Sequence, residues 1–205
     1  MTALDTGLSA PGATRQRILE TARRLFSDSG YLGVSMNDIA RQLGIKKATL
    51  YHHFAGKAAI YSAVLDDVFS GLQRRVRDAL QESTDEARLR RLIGSYIGFG
   101  LQERGLVNMV VTKLPPEEPV IRERIVRFRE DLANQLQPLV ERTLAEGHHA
   151  QLGEARFLTS MLMWMMDGLL TECSLLDRLV DAERVADHIL AVLRPGAPLA
   201  KTQPC

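Results

Sequence analysis

The chain is poor in residues that mark several large protein classes. Two cysteines, Cys173 and Cys205, in 205 residues make neither a disulfide framework nor a four-ligand zinc site. Aromatic residues are only 5% of the chain. There are also no Val/Ile/Thr-rich alternating runs, so an all-β fold is not expected. The first residues lack a basic segment followed by an apolar one, so no secretory signal is expected. No long run is free of charge. The most apolar stretch, Phe157 to Leu176, carries Asp167 and Glu172, each costly in lipid, and reads as a buried helix of a soluble cytoplasmic protein without a membrane partner. Motifs of catalysis are missing as well: no Gly-rich phosphate loop, no H-E-x-x-H, no E-x-x-H pair of the di-iron kind. His148 and His149 are adjacent, point to different helix faces, and suit a metal poorly. The expectation is a protein that is no enzyme and holds no metal or cofactor. Nor does either sign of charge dominate: the net charge is +1, which, spread evenly, would argue against nucleic acid as a partner.

What is present is helical periodicity. Ile18, Ala22, Leu25 and Phe26 form one stripe, with Thr14 as a candidate N-cap and Gly30 as a stop. A second helix opens at Ser35, with Asp38 completing a capping box, and closes at Gly44. Short and long helical patterns follow at Lys47 to His53, Lys57 to about Glu82, Leu89 to Arg104, Leu106 to Leu114, Glu118 to Glu146, Gly153 to Leu176 and Asp181 to Leu193. Pro115-Pro116 should end the sixth of these nine helices, and Pro138 should kink or break the seventh. The fold class is therefore all-α, with about nine helices. Residues 1–13 and 194–205 read as disordered tails, 14–58 as a first helical unit and 59–193 as a second helical domain.

The DNA-binding reading begins with geometry. The turn Gly44-Ile45-Lys46 joins two short helices, the spacing of a helix-turn-helix whose second helix enters the major groove. Charge follows the same segment. Residues 14–58 hold eight Lys/Arg (15, 17, 23, 24, 41, 46, 47, 57) against three acids (20, 28, 38), or +5, and all other residues together are −4. The basic excess sits where phosphates would need it.

The run SMNDIARQLGIKKATLYHHFAGKAAIY, Ser35 to Tyr61, with TRQRILETARRLFSDSGYLGVS before it, resembles the N-terminal DNA-binding domain of the TetR family of bacterial transcriptional regulators. The resemblance rests on Ile39-Ala40, Gly44, Thr49-Leu50-Tyr51, His53-Phe54 and Lys57 and covers residues 14 to about 61. It departs from the family's pattern at Lys46, where a Ser-like cap is common, at Ala48, where Gly is frequent, and at Ala58-Ala59-Ile60, where acids are usual.

The resemblance implies roles for particular residues. Ser35 would cap the second helix and donate to a phosphate. Lys46 and Lys47 would meet phosphate or a guanine edge, and Ala48 and Thr49 would face bases. Tyr51 and His53 would reach phosphates, His52 a base or phosphate, and Lys57 a phosphate at the start of the fourth helix. It also implies double-stranded DNA with an inverted-repeat operator, a second copy of the chain, and a small apolar or amphipathic effector as partners.

The last two helices are apolar on more than one face, so a partner subunit is expected to cover one of them. Leu158, Leu162, Met165, Leu169, Val185, Ile189 and Val192 are the candidate interface. In the family these two helices form the dimer's four-helix bundle. Tyr96, Phe99, Met109, Phe128, Met163 and Trp164 are the candidate walls of an effector pocket, with plain core as the competing reading for each. A DNA-binding regulator without a small-molecule ligand and an all-helical enzyme are the alternatives.

Overall fold

The computed structural model describes residues 12–103, 118–144 and 152–193. Among these it contains eight helices and no strand: α1 Ala13–Ser29, α2 Met36–Leu43, α3 Lys47–His53, α4 Lys57–Ala79, α5 Asp85–Gln102, α6 Pro119–Leu144, α7 Leu152–Leu175 and α8 Ala182–Leu193. The helix expected over 106–114, His148-His149, Met109, Cys205 and most of both expected tails lie outside the described residues.

Local chemistry accounts for most boundaries. The Ser35 hydroxyl accepts from the Asp38 amide at 3.2 Å, and the Asp38 carboxylate accepts from the Ser35 amide at 3.0 Å, so the capping box forms as the spacing predicts. Gly44 takes a left-handed conformation, φ +66°, which lets its amide and that of Ile45 turn back to the carbonyls of Arg41 and Ala40.

Three boundaries differ from expectation. α1 starts at Ala13 behind Gly12, so Thr14 lies inside the helix instead of capping it. α5 starts four residues earlier than its apolar stripe, because the Thr84 hydroxyl accepts from the Ala87 amide and Asp85 and Glu86 complement the positive helix end. α6 passes through Pro138 as one helix. Pro138 is exposed, as is Asn134, whose carbonyl loses its donor there, so that carbonyl is open to solvent.

Two packing centres share α4. Phe26, Tyr31 and Tyr61 form an aromatic trio, with Phe26 edge-on to Tyr61 and Tyr31 edge-on to Tyr61, both at 5.0 Å between centroids. α4 thus crosses the expected boundary at 58/59 without interruption, and Tyr61 anchors its first turns in the core of α1–α3. Its remainder packs on α5, the central helix, which also meets α6, α7 and α8.

In the middle of that second bundle is a polar trio. The Tyr96 hydroxyl donates to Asp167 at 2.6 Å and Arg129 pairs with Asp167 at 2.7 Å. This satisfies the buried carboxylate of α7 and ties α5, α6 and α7 together. Burial, and then the Asp167 charge, push the Tyr96 phenol far above its ordinary value. No helix among the described residues is long and apolar enough to cross a membrane.

Candidate nucleic-acid interface

α3 is anchored on one side. Leu50 is fully buried, and Phe54 beyond its end is nearly so. The Phe54 amide closes the helix on the Leu50 carbonyl at 2.9 Å. With that side held, the opposite side faces outward: Lys46, Lys47, Ala48, Tyr51 and His52 are exposed, and Thr49 and His53 are half-buried. Seven residues span about 10 Å of helix, which fits a major groove about 12 Å wide. The expected DNA-facing residues of α3 therefore share one accessible surface. Lys47 sits 5.8 Å from the Tyr51 ring centroid, at the outer limit of a cation–π contact, so the two present a joint cationic and aromatic edge.

The flanking residues are held more tightly than the sequence suggested. The Ser35 hydroxyl proton goes to Asp38 at 2.6 Å. A hydroxyl has one proton, so Ser35 donates to a phosphate only when that proton turns from the Asp38 carboxylate, a rotation that leaves both capping-box hydrogen bonds in place. Both Ser35 hydrogen bonds, ahead of the neighbouring Arg41, hold the Asp38 carboxyl below its ordinary value. Lys57 is half-buried. Its ammonium donates to the Tyr31 carbonyl at 2.9 Å and lies 4.1 Å from the Tyr31 ring centroid. Two of its three protons remain for a phosphate. Part of the +5 charge is balanced from outside the segment, since Arg23 pairs with Glu103; Arg41 pairs with Asp38, an acid already counted in that sum. The exposed positive surface is carried by Lys46 and Lys47 together with the exposed Arg15, Arg17 and Arg24 of α1.

Of the candidate pocket residues that are described, only Phe128 lines the cleft between α4 and α6. Tyr96 is bound to Asp167. Phe99 lies under the Arg75 guanidinium, 4.6 Å from its ring centroid, and against Gly71, where a Cβ would come within 3.2 Å of the ring. Met163 is buried. Phe128 stacks on Phe69 at 4.1 Å and lines a solvent-open cleft of about 280 Å³ between α4 and α6, rimmed by Asp66, Gln73, Arg124 and Arg127. Trp164 is corrected outright: 60% exposed, it stands on the outer face of α7 edge-on to Phe157 at 6.5 Å. Phe69 was missed, although its stripe position with Leu65, Leu72 and Val76 was readable. Its pairing with Phe128, 59 residues away in the chain, was not.

The candidate dimer surface needs a similar correction. Leu162 and Ile189 are buried within their own subunit and leave nothing for a partner. Leu158, Met165, Leu169 and Val185 are half-buried, Val192 is exposed, and Phe157, Trp164 and Leu175 are further large apolar groups of α7 left uncovered. Among the described residues, no group of three or more His, Cys, Asp or Glu is placed to hold a metal.

Residues 18–64 match the family model described as "Bacterial regulatory proteins, tetR family". The nucleoid occlusion factor SlmA of Vibrio vulnificus (strain YJ016) is 28% identical over 160 residues, 76% of this chain and 81% of that protein. The HTH-type transcriptional activator FasR of Mycolicibacterium smegmatis is 37% identical over 86 residues, 42% of this chain and 39% of that one. The structure of the transcriptional regulator FadR from Bacillus subtilis, in complex with stearoyl-CoA, superposes with a TM-score of 0.73 at 18% identity, covering 89% of this chain and 98% of that chain. At that identity the likeness is one of fold.

Proposed function

Residues 18–64 match the model of the tetR family of bacterial regulatory proteins, and from that match we propose that the chain is a cytoplasmic, homodimeric repressor of this family, released from an inverted-repeat operator by a small apolar or amphipathic effector. The observation that carries the reading is the exposed face of α3, with Lys46, Lys47, Ala48, Thr49 and Tyr51 on one side and Leu50 locked beneath. One such helix reads a half-site, and a two-fold pair reads a palindrome. Lys46 and Lys47 supply phosphate contact, Ala48 and Thr49 face bases, and Tyr51, His52 and His53 reach the backbone or base edges. Lys57 offers its remaining protons to a phosphate beside the start of α4. The exposed apolar face of α7 and α8 supports pairing of two copies. The reading assigns the chain no catalytic step.

An effector acts only through a difference in its affinity for two arrangements of the dimer. The aromatic cleft between α4 and α6 supports a ligand with apolar surface, because α4 runs directly from it into the DNA-binding unit. A second reading, a regulator without a small-molecule ligand, is favoured by the polar trio at the bundle's centre, which closes the space around Tyr96. Gel-shift competition tests the main reading: labelled duplex from upstream of the chain's own gene should survive an excess of random duplex. Equal competition by both would refute sequence-specific binding.

A further inference from the structure

Tyr31 is placed between the two halves of the molecule. Its ring belongs to the trio with Phe26 and Tyr61, a task phenylalanine would perform as well. Its hydroxyl does something else: it donates to the Glu118 carboxylate at 2.6 Å. Glu118 is outside the DNA-binding unit, at the start of α6, where its carbonyl accepts from the amides of Ile121 and Arg122 at 3.1 and 3.2 Å. The carboxylate is therefore carried on a fixed helix end. On its other side Tyr31 holds Lys57, through its carbonyl at 2.9 Å and its ring at 4.1 Å. Glu118, Tyr31 and Lys57 form one unbroken chain of contacts from the effector domain to a DNA-facing ammonium. A second polar grip, Arg23 to Glu103 at the end of α5, joins the two halves without touching Lys57.

We propose that Glu118 and Tyr31 are positioning residues for the DNA interface, Glu118 fixing Tyr31 and Tyr31 fixing the Lys57 ammonium where it meets a phosphate. The inference rests on the DNA-binding reading above. It makes a prediction opposite to that of simple charge. Removing an acid near a phosphate contact should by itself strengthen DNA binding, whereas releasing Tyr31 should weaken it.

The test measures affinity of the full-length protein for a random-sequence duplex of about 30 base pairs at low salt, with thermal melting to confirm folding. Glu118→Ala and Tyr31→Phe should each bind about three- to tenfold more weakly, and the double variant no more weakly than either single one. Glu118→Gln keeps an oxygen acceptor and should bind at least as well as the original chain. Lys57→Ala should cost less in the Glu118→Ala background than alone, and should keep its full cost in Glu103→Ala. Unchanged or tighter binding by Glu118→Ala, additive losses, or the same loss of Lys57 dependence in Glu103→Ala would overturn the relay. If the original chain does not bind the duplex at all, it is the DNA-binding reading that fails.

Discussion

Ser35 has a single hydroxyl, and the structure commits it to Asp38 in both directions. With that proton on Asp38, Ser35 acts on DNA binding through α2. Ser35→Ala should destabilise the protein by about 1 kcal/mol, read from chemical denaturation, while the salt dependence of DNA binding keeps its slope. A changed slope would return Ser35 to the phosphate contacts. The same box has a pH signature. Asp38 titrates below its ordinary value when folded, so its contribution is fully present above the unfolded carboxyl's range, about pH 4. It is lost as pH falls through the lowered folded value. Ser35→Ala should therefore flatten the acid limb of the stability profile. Lys47 is the opposite case, an exposed ammonium on the face of α3. Lys47→Ala should weaken specific and random duplex alike and reduce the log–log salt slope by about one if it meets a phosphate. A loss confined to one operator sequence would instead make Lys47 a base contact.

At the scale of elements, periodicity identified the helices and capping chemistry decided their ends. The apolar stripe of α5 begins at Leu89, but Thr84 and two acids extend the helix to Asp85. Stripe-reading missed this because the first turn is held by polar groups. At Pro138, where a kink or break was expected, α6 continues as one helix, and the proline lies on its exposed face. The joint between α5, α6 and α7 is polar, and it was invisible in sequence. Asp167, Tyr96 and Arg129 stand 71 and 38 residues apart from the carboxylate, and nothing local links them. Tyr96→Phe should lower stability by about 1.5–3 kcal/mol, the range for a buried hydrogen bond to a charged group. A denaturation midpoint equal to that of the original chain would mean the trio is no anchor.

At the scale of the whole molecule, the unsettled surface is the outer face of α7 and α8. Phe157, Trp164 and Val192 are more than half exposed, with Leu158, Met165, Leu169 and Val185 beside them. Large apolar groups gathered on one face mark an interface. Trp164→Glu should shift the protein from dimer to monomer in light scattering after size exclusion, without a loss of helical content. It should also weaken operator binding by far more than random-duplex binding, since only the former needs two half-sites. A dimer that survives the substitution would move the interface elsewhere.

The amino-acid order by itself determined what depends on neighbours a few residues away: the helices, the capping box at Ser35, the turn at Gly44, and the concentration of positive charge in residues 14–58. These are set by i, i+3 and i+4 spacing and by backbone freedom, which a linear chain displays directly. The tertiary structure alone decided which face of a doubly apolar helix is spent internally. That is why Leu162 and Ile189 are core while Trp164 is surface. It alone also brought Glu118 to Tyr31, 87 residues away, and Phe128 to Phe69. Such contacts follow from how helices stack, and helix stacking is a property of faces and volumes summed over the whole chain, not of any segment within it.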